Sequence, residues 1–517
     1  MADQKGSSKP PSDGKGDGCP PKRTEQGDGD GGMGGMGGMG GMGGMGGKAT
    51  QWLADPRFKY VGFALLLSWH YTLWFVPHMF PQLELLDDRV TISWLVNLGA
   101  MAASLLAIMV ALGRKRHLSD HAWVFWTAPV ATAIGTAVLC LLPHAFLAPA
   151  VAYVLSFALG VFEAAQWVLW GERFASVKAN FTMAHFGATC GTIILTVALA
   201  AWALPVYATA IFTALLPLAS GFVLMAERKH GAGSYPVLLP KSAAKGGIKN
   251  MGVVSAMGFL ASVALYFLVA IIPWQVLPFR DQSFTFGIVM AGAILLAIAG
   301  ICALSKNGIN IFKTFPWMIV LGIVSFALFL DGRPLYFPSF FLATALSSLL
   351  EVLLIMYFGV LTSKGYTTPA AAFAFSGAFA RAGIALGNTW AVAYEGMPSL
   401  HDVLTPPTCL LLMCVLAALL IPLVRQEYNL VALTAKPPTK SEIEVICSEA
   451  AKEFGLSARE TEVLTLIARG HTTKSIAEKL VLSPYTVNTH IRHIYDKMQI
   501  HKRSELINYL NMQRSDF

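Results

Sequence analysis

A chain of 517 residues of which 55% are hydrophobic and 13% charged, with a mean hydropathy of +0.56, is a polytopic membrane protein and not a soluble globular one. Its formal charge of +8 comes from lysines and arginines that sort by loop, which orients the chain below. Seven cysteines are scattered without a C-x-x-C pair, so neither a zinc site nor a disulfide framework is indicated, and no nucleophile elbow, phosphate loop or HExxH points to an enzyme or a bound cofactor.

Residues 1–50 lack apolar content and end in Gly-Gly-Met repeats, which predicts a disordered cytoplasmic tail and not a signal peptide. Met33, Met36, Met39, Met42 and Met45 offer soft thioethers to Cu(I), but a flexible glycine-rich arm accounts for them more simply, and no metal site is assigned.

From residue 57 to 426 about twelve apolar runs reach spanning length. They centre near Leu67, Ala102, Ala131, Leu159, Leu195, Leu215, Val263, Leu295, Val320, Leu349, Ala380 and Met413. Alternate loops differ sharply in charge. One set carries Arg57, Lys59, Arg114 to Arg116, Arg173, Lys178, Arg228, Lys229, Lys241, Lys245, Lys249, Lys306, Lys313, Lys364 and Arg425; the other carries little beyond Arg89, Arg280 and Arg333 beside several acids. The basic set is predicted to be cytoplasmic, and an even number of spans then leaves both termini in the cytoplasm.

The spans repeat internally. GVFEAAQWVLWGERF around Glu163 is echoed by SLLEVLLIMYFGVLT around Glu351, with Gly171 and Gly359 each eight positions after the acid, and Gly187 echoes Gly377 further on. With a basic loop at 227–249 dividing halves 57–226 and 250–426, this region resembles the major facilitator superfamily, although the loop after span two lacks most of that family's signature. Ionisable groups inside spans default to a functional hypothesis. Glu163, Gln166, Glu351 and Arg381 are the candidate ligand site, with His70, Asn97, His185 and Asn388 in support; a structural pair between Glu351 and Arg381 is the competing expectation. Trp69, Trp74, Trp167 and Trp170 read as packing and interface residues.

Residues 427–455 form a linker with a proline hinge at Lys436 to Lys440. A coupling helix follows, with Ser441 and Glu444 as its capping box and Ile443, Ile446, Ala450 and Phe454 as its stripe. That helix is free to dock on the next module, pair with a second copy or lie on the membrane. Residues 456–517 then carry a second capping box, Ser457 with Glu460, and a helix ended by Gly470. Thr472 caps the next helix, and Ser483 with Pro484 starts a third. Val487, Ile491, Ile494 and Met498 make the apolar back of that third helix, leaving Tyr485, Asn488, Thr489, Arg492 and Gln499 on or near the other face. Long donors and short polar groups presented in this way suit base edges in a major groove, while Lys474, Ser483, Tyr485, Thr486, Lys497 and Arg503 suit phosphates and positioning. A fourth helix offers Leu506, Ile507 and Leu510 as a surface for pairing two copies.

This segment, about a tenth of the chain, resembles the LuxR/NarL (GerE-type) helix-turn-helix domain. The matching residues are Leu456, Ser457, Arg459, Glu460, Glu462, Val463, Leu464, Gly470, Ile476, Ala477, Leu480, Ser483, Thr486, Val487, His490, Ile494, Lys497, Arg503, Glu505 and Leu506. The resemblance implies a four-helix domain that dimerises through its last helix and places its third in the major groove, with Asn488, Thr489 and Arg492 at the base-reading positions. Asn488 stands where the family often has lysine, so its operator is not transferable. The expected fold is therefore all-α: a transmembrane bundle in two pseudo-repeated halves followed by a helix-turn-helix domain. The expected function is a one-component regulator of a bacterial cytoplasmic membrane that binds double-stranded promoter DNA, as a homodimer on a palindromic site, in response to a small-molecule ligand or membrane condition, with RNA polymerase as a further partner. The alternative is a secondary transporter carrying a regulatory DNA-binding domain.

Overall fold

The computed structural model describes residues 59–513 apart from 77–78, 80–87, 115, 143–147, 178, 180, 230–234, 237, 240, 274–275, 278–281, 305–313 and 435–439. The Gly-Gly-Met tail and nearly all of the proline hinge lie outside the described residues.

Twelve apolar helices come first: α1 Val61–Phe75, α2 Asp88–Leu112, α3 Val124–Leu141, α4 Pro149–Ser176, α5 Ala188–Ala203, α6 Val206–Lys229, α7 Lys241–Ile271, α8 Ser283–Leu304, α9 Phe315–Asp331, α10 Tyr336–Ser363, α11 Pro369–Glu395 and α12 Pro398–Thr434. Each contains one of the twelve predicted centres. Among the described residues ten helices are long and apolar enough to cross a bilayer, while α1 and α9 have 15 and 17 residues. Helices are the form such sequences must take, because lipid offers the backbone no hydrogen bonds. The chain is a multi-pass membrane protein, and its surface fits: Val110, Trp126, Val154, Leu304 and Trp317 point outward.

The packing repeats with a period of six helices. Helix α1 packs on α5 and α6, and α7 packs on α11 and α12; α4 takes α2 and α3, and α10 takes α8 and α9; α3 meets α6 as α9 meets α12. The halves join through α2 with α11 and α5 with α8, again a related pair. Two glycines make the join close. A Cβ on Gly171 would lie 2.4 Å from the Phe373 ring of the other half, and one on Gly359 would lie 2.4 Å from the Phe181 ring. The acid-then-glycine echo thus marks two sites where a phenylalanine crosses between halves.

Five further helices follow: α13 Lys440–Glu453, α14 Ala458–Ala468, α15 Thr473–Leu480, α16 Pro484–Met498 and α17 Arg503–Gln513. They enclose a separate core of Ile446, Cys447, Ala450, Val463, Leu464, Ile467, Ile476, Val487, Ile494, Leu506 and Leu510. Of the three placements open to the coupling helix, docking on the module is the one observed. Ile446, Cys447 and Ala450 are buried in its core, Arg469 pairs with Glu444, and the Tyr509 hydroxyl donates to Glu453 Oε2 at 2.6 Å.

Candidate nucleic-acid interface and buried polar cluster

The helix starts of the module are set by side-chain caps. Ser457 Oγ accepts the Glu460 amide at 3.3 Å while Glu460 Oε2 accepts the Ser457 amide at 2.7 Å, the reciprocal capping box expected from S-x-x-E. Thr472 Oγ1 accepts the Ser475 amide and Ser483 Oγ accepts the Thr486 amide at 3.0 Å, which starts α15 and α16. Gly470, at φ +86°, supplies the left-handed residue after α14. The turn between α15 and α16 instead places Val481 in that conformation, at φ 53° and ψ 49°.

Helix α16 is two-faced. Val487, Ile494 and Met498 are buried and Ile491 half-buried, whereas Asn488 and Arg492 are exposed beside half-buried Thr489. The Thr489 hydroxyl donates to the Tyr485 carbonyl at 3.1 Å. Tyr485, 82% exposed, stands at the N-terminal end of the same face, and Lys474 on α15 is exposed as well. Ser483 and Thr486 share a hydroxyl hydrogen bond of 2.8 Å at the start of α16.

Lys497 and Arg503 are tied back to their own domain by hydrogen bonds. Lys497 Nζ donates to Glu460 Oε2 at 2.7 Å and to the Gly455 carbonyl at 3.1 Å; Arg503 Nη2 donates to the His471 carbonyl at 2.6 Å. Burial pushes the Glu460 carboxyl up, but hydrogen bonds from Lys497 and Ser457 and the charge of Lys497 outweigh it and bring the pKa down to about 2. Helices α14 and α16 are thereby joined by a buried carboxylate. On α17 the structure corrects the expected pairing surface. Leu506 and Leu510 face the core of their own domain, and only Ile507 of the three is exposed.

Inside the membrane bundle the sequence-selected ionisable groups are gathered by α1. Arg381 Nη1 donates to Glu351 Oε1, and the Tyr71 hydroxyl donates to Glu351 Oε2 at 2.7 Å. Its neighbour His70 places Nδ1 3.0 Å from Glu163 Oε1. The Arg381 guanidinium also lies over the Trp167 ring at 4.7 Å, and the Trp167 indole donates to the Phe373 carbonyl at 3.1 Å. Gln166 Nε2 donates to Thr132 Oγ1 at 2.9 Å, one turn from Glu163. Arg381 Nε and Nη2, Glu163 Oε2, Gln166 Oε1 and both amide atoms of Asn97 are buried without a protein partner among the described residues. His185 is exposed in the turn before α5, apart from the buried set. Chemically the cluster is two carboxylates against one guanidinium and one imidazole, with a phenol donating to Glu351.

Sequence reasoning missed Tyr71 and Glu172. A phenol within an apolar span needs a partner, and its adjacency to His70 was the available signal. Glu172 is fully buried, and its oxygens accept the Leu118 and Ser119 amides at 2.7 and 2.8 Å. A buried carboxylate that accepts loop amides has no spacing rule, so no pattern announces it.

Residues 455–510 match the family described as "Bacterial regulatory proteins, luxR family". Over 54 residues, 10% of this chain, the segment is 48% identical to the oxygen regulatory protein NreC of Staphylococcus carnosus (strain TM300) and to that of Staphylococcus haemolyticus (strain JCSC1435). The match spans 25% of the length of each of these relatives. Among solved structures, a variant of the peptide transporter POT gives a TM-score of 0.41 at 14% identity, covering 74% of this chain and 99% of that one. The human organic anion transporter MFSD10 (TETRAN) gives 0.41 at 13% identity, covering 73% and 97%. The C-terminal module is a LuxR-family helix-turn-helix domain, and it is carried on a chain of membrane helices.

Proposed function

We propose that this chain is a one-component transcription regulator embedded in a bacterial cytoplasmic membrane, with both termini in the cytoplasm. Asn488, Thr489 and Arg492 read bases in the major groove. Lys474, Ser483, Tyr485 and Thr486 meet the phosphates, while Lys497 and Arg503 complete the positioning set from within the domain. The module works as a homodimer on a palindromic promoter site, with RNA polymerase as a further partner. Glu163, Gln166, Glu351 and Arg381 form the site at which a small molecule or membrane condition acts. Coupling requires that the signal favour one arrangement of the bundle by a free-energy difference that the module feels through α13.

The observation that carries this reading is α16: an exposed Asn488 and Arg492 on a helix whose opposite face is locked into a core. Genome-wide footprinting with the full-length protein in nanodiscs tests it. Defined sites near promoters, lost in an Arg492→Ala variant that keeps the wild-type helical content, are the expected result. No defined sites, together with solute uptake into proteoliposomes that depends on Arg381, would replace it with the transporter reading.

A further inference from the structure

The segment between α6 and α7 touches both halves of the bundle within five residues. Tyr235 engages the first half: its hydroxyl shares a hydrogen with Ser119 Oγ at 2.7 Å, and its ring lies on the His117 imidazole at 3.7 Å between centroids and 4° from parallel. Leu239 engages the second: its amide donates to the Gly365 carbonyl, in the loop between α10 and α11, at 2.9 Å. The footing on the first half is built in depth, because the turn that carries His117 and Ser119 is itself fixed by the buried Glu172 of α4 through the two amide bonds given above. On the second half, Gly247 of α7 lets the Tyr366 ring approach so closely that a Cβ there would fall 2.5 Å from it.

A chain segment bonded at one end to one half and four residues later to the other resists any motion that parts the halves at this face. We propose that Tyr235 and Leu239 form a pH-sensitive latch across the two halves of the bundle, which releases before this face opens, with His117 as the titrating element. His117 has its Nδ1 3.8 Å from Glu172 of α4; Asp120 of its own turn accepts its amide at 3.0 Å; Tyr235 covers its ring from the linking segment; Arg173 of α4 lies on the Tyr235 side. Arg116 and His121 are in the same loop. The attraction of Glu172, aided by Asp120, raises the His117 pKa above its ordinary value of 6.5 against the opposing effect of burial. Glu172 and Asp120 belong to the first half with His117 and act on it whether the latch is closed or open, so the pH dependence of the latch comes from what closure adds to His117, and it is lost as pH rises through the raised value. That addition is the Tyr235 face, which holds the imidazolium better than the neutral ring. The latch is therefore strongest in mildly acidic medium and weakens as the pH rises.

Amide hydrogen exchange on the full-length protein in nanodiscs reads both ends at once, in the peptide holding Leu118 and Ser119 and in the peptide holding Leu239. In Tyr235→Ala both peptides are expected to exchange about tenfold faster or more, while peptides from α5 and α8 keep wild-type protection and so report an intact bundle. Tyr235→Phe, which keeps the ring and loses the hydroxyl, falls between. In the wild type, protection of both peptides, corrected for intrinsic rates, declines from pH 6 to pH 8; in His117→Gln it is flat. Acceleration confined to the substituted segment, or a wild-type profile that His117→Gln does not alter, overturns the proposal. Neither outcome depends on DNA binding, so failure here is distinct from failure of the regulatory reading.

Discussion

The membrane bundle and the C-terminal module bury opposite things. In the bundle Glu163, Glu351 and Arg381 are inside and Val110, Trp126 and Leu304 are outside; in the module Val463, Ile476 and Ile494 are inside and Asn488 and Arg492 outside. Each arrangement follows from its solvent, since lipid gives a charged group no hydration and water gives an apolar group no welcome. The difference teaches where chemistry is carried. In the bundle the candidate groups neutralise one another and are disturbed together, whereas in the module the proposed base readers Asn488 and Arg492 are exposed on α16 and are expected to be removable without harm to the fold.

The sharpest way to break that comparison is to remove a buried charge. Arg381→Met leaves Glu351 inside the bundle with the Tyr71 phenol as its remaining partner among the contacts described. The expected cost is about 3–5 kcal/mol, because an unpaired buried charge forfeits its partner and keeps its desolvation. The check is the melting temperature of detergent-solubilised protein. The double variant Arg381→Met with Glu351→Gln should recover most of the loss, and a double variant as unstable as the single one would mean that packing of Arg381 on Trp167 matters more than its charge.

The surface counterpart is Arg492→Ala. Its expected cost appears in DNA affinity, about 1–3 kcal/mol or roughly tenfold to a hundredfold at fixed salt, with no change in thermal unfolding. A matched loss of stability would place Arg492 in the fold and remove it from the recognition face.

How much of this was legible in the sequence differs between the regions for the same reason. The module's capping residues Ser457, Thr472 and Ser483 announce its helix starts, because a cap is local and obeys a spacing rule. The ionisable residues Glu163, Glu351 and Arg381 stand out of an apolar background, and the Glu351 to Arg381 pair was foreseeable. What joins Glu163 to Glu351 was not, since His70 and Tyr71 reach them from a helix far away in sequence. The pairing role expected of Leu506 and Leu510 failed on a related point. An apolar stripe on α17 says that it is covered, and not by what; the cover is the core of its own domain.

One charge of the module lies on the buried side of the comparison. Glu460 is the module's nearest equivalent of Glu351, a carboxylate 5% exposed whose pKa is down at about 2. A depressed carboxyl contributes stability that is complete above the unfolded value, near 4.3, and is lost as pH falls through the folded one. Between pH 4.5 and pH 2 the module should lose about 1–2 kcal/mol, after allowance for the exposure of Lys497. Hydrogen exchange of the α14 and α16 amides in the full-length chain measures it, and Glu460→Gln should flatten the profile over that range.

The smallest expected effect lies at Val481, where the module departs from the rule that a surface residue is free of strain. A β-branched residue at φ 53° crowds its own backbone, at a cost of about 1–2 kcal/mol, and at 91% exposure Val481 recovers little of it by packing. Val481→Gly removes the crowding but adds about 0.5–1 kcal/mol of chain entropy to the unfolded state, so the net gain is small. Val481→Asn, which tolerates the left-handed region with less freedom to lose, should gain at least as much, about 0.5–1 kcal/mol. Exchange protection of α15 and α16 is the measurement for both. If either substitution stabilises the module yet weakens DNA binding, the strain is retained for the turn geometry that sets α16 against DNA; if neither stabilises it, the conformation at Val481 is not strained.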